Sequence, residues 1–167
     1  MASYLDLDID SVAKIGLMFL DGDCLEDILL DRYGHPDYDF DNFNVCKIVL
    51  LKLERMNPNL GLTAVLWQLR PDNAEIAVPV AAGTALPLEG YRPCPVSDAV
   101  RRAFGGESGV TAYRSDSCTS HYYPVRNSDG EIVGVLELLA GARPRVDISG
   151  DRYGSEGVLA FQRLSAH

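Results

Sequence analysis

The sequence is short of positive charge and has no long apolar run. Its 167 residues include 15 Lys and Arg against 24 Asp and Glu, which gives a net charge of −9. A chain this acidic is a poor partner for the phosphate backbone of nucleic acids or for an anionic membrane surface, so we expect neither as a partner. Apolar runs such as Ile48–Leu51 are far too short to cross a bilayer, so we expect no membrane segment in this chain.

Cysteine is also scarce. The four cysteines stand far apart in the sequence, so they form neither a disulfide framework nor a metal-binding motif, and they fit a reducing compartment. Residues 1–12 carry three aspartates and no basic stretch, unlike a secretory signal peptide. These features predict a cytoplasmic location. No cofactor can be named from the residues.

The first third of the sequence has helical spacing. Apolar residues recur at intervals of three and four between Ser11 and Tyr33, and Asp21-Gly22-Asp23 divides this stretch into two short helices. Phe43–Met56 is a further helix with apolar residues on nearly all sides, which requires burial on two faces. One face would meet a sheet. The other would meet the helices at 11–33 or the same helix of a second protomer, and we expect a homodimer.

Strand patterns follow. Leu62–Leu69 and Glu75–Ala82 have β-type patterns joined by the turn sequence Arg70-Pro71-Asp72-Asn73. Residues 83–95 are predicted to form a loop. A short helix at Asp98–Phe104 and a short strand at Val110–Tyr113 come next.

The stretch Ser120–Ala140 carries the strongest turn signal of the chain. Two β-branched and aromatic runs flank Asn127-Ser128-Asp129-Gly130, and Asp-Gly favours a hairpin because glycine adopts a positive φ without steric cost. We therefore expect Val125 and Ile132 in adjacent strands. Pro124, within the first arm, predicts an edge position or a bulge.

The order of helices and strands favours an α+β fold, with an antiparallel sheet of five to six strands, helices on one face and loops over the other. The hairpin from Tyr123-Pro124-Val125 through Gly134-Val135-Leu136-Glu137-Leu138 resembles the closing hairpin of GAF domains, which are related to PAS and Cache domains. The resemblance covers roughly Phe43–Leu139. It implies a GAF-like domain at residues 43–167, with a C-terminal exit segment, preceded by an acidic helical extension at residues 1–42.

The GAF resemblance implies a regulatory sensor rather than an enzyme. Such a domain binds a small molecule and passes the signal through terminal helices to a linked output domain. In bacteria that output is commonly a cyclase or phosphodiesterase of cyclic-di-GMP signalling, a histidine kinase or a transcription activator. A Cache or PAS-type sensor and a dimerisation module without ligand are alternatives. The ligand of a GAF domain lies between the sheet and the loops over it. The residues that this places around the ligand are Trp67, Leu69, Tyr91, Arg92, Tyr113, Arg114, Asp116, His121 and Tyr123.

Cys94 and Cys118 support one enzymatic alternative. Free methionine-(R)-sulfoxide reductase is a GAF-derived enzyme with cysteines around the same helix and strand, and its chemistry needs a low-pKa thiol and a resolving thiol. The surroundings here, Pro93-Cys94-Pro95 and Ser117-Cys118-Thr119, depart from that family's C-G-x-A and A-C-D motifs.

No metal site is predicted. Asp37-x-Asp39-x-Asp41 resembles the start of a calcium loop but lacks the Gly and the Glu needed at positions six and twelve. His121 has no Cys, His or Glu partner at a metal-binding spacing.

Overall fold

The computed structural model describes residues 7–34, 40–83, 93–115 and 118–141. The order of the helices and strands is α1 (Ile9–Phe19), α2 (Gly22–Gly34), α3 (Phe40–Met56), a 3₁₀ turn (Pro58–Leu60), β1 (Thr63–Arg70), β2 (Asn73–Ala82), β3 (Cys94–Pro95), α4 (Asp98–Phe104), β4 (Val110–Ser115), β5 (Cys118–Arg126) and β6 (Ile132–Ala140). The division of the first helical stretch near residue 21 is confirmed. Asp37, Asp39 and the predicted C-terminal exit segment lie outside the described residues.

The six strands form one antiparallel sheet in the order β3-β2-β1-β6-β5-β4, which confirms the predicted fold class. The central pair is β1 and β6, whose register runs from Thr63 opposite Leu139 to Trp67 opposite Val135. The predicted hairpin is confirmed as well, since β5 and β6 are adjacent and Gly130 in the turn has a φ of 81°. The last of the described strands, β6, is therefore at the centre of the sheet.

The two faces of the sheet have separate cores. On the first face, α1, α2 and α3 contribute Val12, Leu25 and Leu50 to a cluster that includes Leu66 and Leu136. We call this the three-helix face. It confirms the prediction that helices cover one face of the sheet. The opposite face, for which only loops were predicted, carries α4, whose apolar residues pack against the sheet; we call it the α4 face. Its buried members include Val65, Trp67, Val100, Ala103 and Val135.

A two-residue edge strand, β3, lies within the region predicted to be a loop. Cys94 pairs with Ala77 and Pro95 with Ile76 of β2. Two residues are too few to show an alternating pattern, which is why the sequence does not reveal this strand. The pairing places Cys94 beside Ala77, a member of the core on the α4 face.

Pro124 is accommodated without loss of a backbone hydrogen bond. It lies opposite Val135 of β6. The N–H of Gly109 donates to the carbonyl of Tyr122, so the backbone polar groups of Tyr122, and by alternation of Pro124, point away from β6. The register of β4 begins with Val110 opposite Tyr122, so no residue of the described strands stands beside Pro124 on that side. Pro124 therefore lies at a local edge of the sheet, as expected for a proline within a strand.

Asp21-Gly22-Asp23 fixes α2 against the hairpin as well as separating the helices. The carboxylate of Asp21 accepts the N–H groups of Asp23 and Cys24 at the start of α2. The carboxylate of Asp23 accepts both the N–H and the hydroxyl of Ser128, each at 3.0 Å. Gly22 packs so closely that an added Cβ would lie 2.0 Å from the carbonyl oxygen of Arg126. The acidic helical segment is therefore docked directly on the turn between β5 and β6.

The helix α3 is covered on its second face only in part. Its buried residues include Cys46, Leu50 and Leu53, and α1 approaches it closely where Gly16 meets Leu53. Two apolar side chains of α3, Val45 and Ile48, are exposed. Two more, Met18 and Phe19, are exposed at the end of α1.

Candidate functional site

A carboxylate lies at the centre of the sheet. Glu137 stands in the middle of β6, where Gly134–Leu139 is buried throughout, and its own exposure is 0%. Because side chains alternate along a strand, Glu137 points to the same side as Val135, the α4 face. Removing a carboxylate from water is unfavourable by several kcal/mol unless it is paired and hydrogen-bonded. The surroundings of Glu137 must therefore supply donors.

Neighbouring strands supply those donors. Trp67 of β1 donates its indole N–H to Oε2 of Glu137 at 2.7 Å. Ser120 of β5 donates its hydroxyl to Oε1 at 2.6 Å, and Nη2 of Arg114, on β4, lies 2.8 Å from the same oxygen. The hydroxyl of Tyr122 is at the outer limit, 3.5 Å from Oε1. These five residues form what we call the Glu137 cluster, which crosses the sheet from β4 through β5 and β6 to β1.

Arg114 connects the cluster to the surface. Its Nε donates to Oγ of Ser120 at 3.0 Å, and its Nη2 donates to the hydroxyl of Tyr122 at 3.3 Å. The side chain is 36% exposed, whereas that of Glu137 is 0% exposed. The ion pair thus runs from the solvent-facing side of an edge strand into the interior.

The two charges act on neighbouring titratable groups. Burial raises the pKa of the Tyr122 phenol, and the negative charge of Glu137 adds to this while Arg114 opposes it. Desolvation also raises the pKa of the Cys94 thiol, which Arg114 lowers and Glu137 raises to smaller extents. Both groups therefore stay protonated near neutral pH, and Tyr122 keeps a hydroxyl that can donate a hydrogen bond.

The structure does not favour the thiol-reductase alternative. That chemistry needs a thiol of low pKa, whereas the pKa of Cys94 is raised. Cys94 lies on β3 and Cys118 on β5, and three strands separate these two in the sheet order. In the part of the chain that the structure describes, neither Cys94 nor Cys118 forms a disulfide.

A second buried carboxylate contrasts with Glu137. Glu54, near the end of α3, is 2% exposed and accepts the backbone N–H of Ala64 at the start of β1, at 3.0 Å. It packs against Gly83, where an added Cβ would lie 2.0 Å from Oε1. Glu54 therefore joins a helix to the backbone of the sheet, which is a structural role. Glu137 is instead bound by the side chains of Trp67, Ser120 and Arg114.

The structure brings together two of the residues predicted to line a ligand site. Trp67 and Arg114 both bind Glu137, on opposite sides of β6 in the sheet. Leu69 follows Trp67 by two residues on β1, so it shares the α4 face, and it is partly buried.

Three others lie elsewhere. Tyr123 points to the three-helix face, where its hydroxyl donates to Oδ1 of Asp10 in α1 at 2.6 Å. His121 shares that face by strand alternation, and burial lowers its pKa while Asp10 opposes the shift. Tyr113 is 88% exposed. Tyr91, Arg92 and Asp116 lie outside the described residues.

Sequence reasoning missed Glu137, Ser120 and Tyr122. One signal for Glu137 was present, since it is the single charged residue in the otherwise apolar stretch Ile132–Ala140. In a strand that is buried on both faces, such a carboxylate must lie beside hydrogen-bond donors or a positive charge. A charged residue in a strand of this kind therefore indicates a polar cluster in the interior.

The described part of the chain holds no group of three or more His, Cys, Asp or Glu residues that could bind a metal ion. Among the helices within the described ranges, none is long and apolar enough to cross a membrane.

Comparisons with known proteins give structural likenesses only. No protein-family model matches the chain, and no curated protein matches its sequence. A structure described as that of the GAF domain is 13% identical with a TM-score of 0.42, over 87% of this chain and 86% of that one. The A. aeolicus nlh2 GAF domain in an inactive state is 10% identical with a TM-score of 0.42, over 90% of this chain and 89% of that one. The ligand-binding domain of a Campylobacter jejuni chemoreceptor in complex with L-valine is 12% identical with a TM-score of 0.36, over 94% of this chain and 66% of that one. Two of these three structures are described as GAF domains.

Proposed function

We propose that this chain is a regulatory sensor domain that binds a small molecule on the α4 face, at the Glu137 cluster. One observation carries the proposal: a fully buried carboxylate in a central strand, bound to Arg114, which reaches the surface. Well-packed apolar residues often stabilise a fold as much as a buried ion pair does, so stability alone gives no reason for this pair. A few fixed polar groups within an apolar lining are typical of ligand sites.

The lining around the cluster is apolar. Val65 and Val135 flank it on the sheet, and Val100 and Ala103 of α4 pack over the same face. Leu69 extends this lining. Tyr91, Arg92 and Asp116 stay proposed members of the site. Tyr123, on the opposite face, joins the site strand β5 to α1.

The cluster offers groups for binding rather than an activated nucleophile, so we propose no enzymatic activity for this chain. Signal transmission has a physical route. Tyr123 on β5 binds Asp10 of α1, and Ser128 in the β5–β6 turn binds Asp23 of α2. A ligand that shifts β5 or β6 therefore acts on both helices, and packed interfaces of this kind respond in discrete steps. We place the domain in the bacterial cytoplasm, linked to an output domain such as an enzyme of cyclic-di-GMP signalling.

We also propose a homodimer. Met18 and Phe19 at the end of α1, and Val45 and Ile48 on α3, are apolar and exposed. A second protomer with the same helices would cover them through an isologous interface. Light scattering at micromolar concentration tests this, and a monodisperse species of the 18.3 kDa chain mass would refute the dimer.

A thermal-shift screen tests the sensor function, with nucleotides, amino acids and tetrapyrroles as probes. The fluorescence of Trp67, the one tryptophan of the chain, reports on the site directly because its indole binds Glu137. A compound present at 100 times its Kd stabilises the fold by about 2.7 kcal/mol, which for a chain of this size is a shift of roughly 5–10 °C.

Two variants make the screen specific. Glu137→Gln removes the charge from the cluster, and Glu75→Gln removes it from an exposed pair with Arg101 that has the same 2.8 Å length. We expect a binding compound to shift the wild type and Glu75→Gln to the same extent and Glu137→Gln to a different extent. Equal shifts in all three, or no shift with any compound, would contradict the proposal. Thiol-dependent turnover of free methionine sulfoxide that is lost in Cys118→Ser would show an enzyme instead.

A further inference from the structure

We infer that the ligand carries an anionic group, a carboxylate or a phosphate, and that Arg114 is the residue that binds it. This inference rests on the proposed function of the α4 face. It names the chemistry that the Glu137 cluster presents to a molecule arriving from solvent.

Access is the first argument. Glu137, Ser120, Tyr122 and Trp67 are all buried, whereas the side chain of Arg114 is 36% exposed. An incoming molecule therefore meets a guanidinium before it meets the carboxylate. A cationic ligand would have to displace Arg114 from Glu137 and would be repelled by Arg114 as it approached. An anionic group is instead attracted by this exposed positive charge.

The fixed orientation of the guanidinium is the second argument. Nε is held by Ser120, and Nη2 is held by Tyr122 and by Glu137. Three acceptors on two neighbouring strands therefore set the plane of the group before any ligand arrives. A planar guanidinium binds carboxylates and phosphates through more than one donor, and a group that is already ordered loses little conformational entropy on binding.

The charge around Arg114 sets the expected affinity for anions. Glu137 neutralises much of the charge of Arg114, and the chain as a whole carries −9, so long-range attraction of anions is absent. We therefore expect bare anions to bind weakly, in the millimolar range, and a ligand with an added apolar part to bind more tightly against Val65 and Val135. Glu137 is in this account a positioning residue, because it acts through Arg114.

The test uses the full chain with three probes at constant ionic strength: inorganic phosphate, glutarate and ethylammonium. The readouts are the unfolding midpoint and the fluorescence of Trp67. The variants are Arg114→Gln, Arg114→Lys and the control Arg70→Gln. Arg70 is 35% exposed, close to the 36% of Arg114, and forms a 2.7 Å ion pair with Asp72 at the β1–β2 turn, away from the Glu137 cluster.

We expect phosphate or glutarate to stabilise the wild type and Arg70→Gln, with an apparent Kd at least tenfold weaker in Arg114→Gln. Arg114→Lys should lie between them, since it keeps the charge but not the planar donors. It also serves as the test variant if Arg114→Gln does not fold. A response to glutarate alone identifies a carboxylate ligand, and a response to phosphate alone identifies a phosphate ligand.

Equal anion binding by the wild type and both Arg114 variants would overturn the inference. A response only to ethylammonium, or only to neutral compounds of the wider screen, would overturn it while leaving the sensor function intact. If neither the three probes nor any screened compound binds, the inference and the proposed function both fail.

Discussion

Replacing Glu137 by Gln and by Leu separates the contributions of its charge and of its acceptors to folding. Gln keeps an oxygen for the indole N–H of Trp67 and loses the charge opposite Arg114. A hydrogen bond to a charged group contributes about 1.5–3 kcal/mol, and Arg114 is exposed enough to regain water, so we expect the free energy of unfolding to fall by about 1–2 kcal/mol. Leu leaves both Trp67 and Ser120 without their buried acceptor, at about 1–3 kcal/mol each, which makes a loss of roughly 2–6 kcal/mol.

Urea unfolding followed by circular dichroism measures these losses, with Glu75→Gln as the control for an exposed Arg–carboxylate pair. In a chain of this size each kcal/mol lowers the melting temperature by roughly 2–4 °C, so the Gln variant should melt about 2–8 °C below the wild type and the Leu variant lower still. A Leu variant at least as stable as the Gln variant would refute this reasoning. It would mean that Trp67 and Ser120 find other acceptors and that apolar packing replaces the ion pair.

Two further predictions concern the three-helix face. Gly22→Ala places a Cβ 2.0 Å from the backbone oxygen of Arg126, so urea unfolding should show a loss of about 1–3 kcal/mol or more, whereas Gly105→Ala, whose nearest contact would be 3.3 Å, should change stability little. Burial lowers the pKa of His121 in the folded chain, with Asp10 opposing, so the unfolded chain binds the proton more readily. Stability is therefore retained above the ordinary value of 6.5 and falls as the pH drops below it, and His121→Gln should show a smaller fall between pH 7.5 and 5.5; parallel profiles would contradict this.

The sequence predicts the helices and most of the strands because their signals are local. Spacing of three and four residues marks α1 and α2, and Asp129-Gly130 marks the turn between β5 and β6. The same sequence predicts a break at Asp21-Gly22-Asp23 but not its docking. The carboxylate of Asp23 binds Ser128, which lies 105 residues further along the chain, and no local pattern encodes that distance.

The faces of the strands are harder to predict than the strands themselves. In β5, Tyr122 and Tyr123 are adjacent and chemically identical, yet they point to opposite faces, and only Tyr122 reaches the Glu137 cluster. Aromatic residues on both faces remove the alternation from which a face is normally read. The predicted set of site residues therefore includes members of both faces.

The candidate site follows from the pairing of β1 with β6, and this pairing is what the sequence conceals. Glu137 meets Trp67 only because β6, the last strand described, returns to lie beside β1, whose residues precede it by about 70 positions. The registers of β4, β5 and β6 then determine which other side chains reach Glu137. With Tyr122 opposite Glu137, strand alternation sends Ser120 to the same face, and the pairing of Ser120 with Ala112 brings Arg114 within reach. A shift of one residue in the pairing of β5 with β6 would turn Ser120 and Tyr122 to the three-helix face and leave Oε1 of Glu137 without these two donors. The unfavourable energy of that arrangement makes Glu137 a determinant of the register as well as the centre of the proposed site.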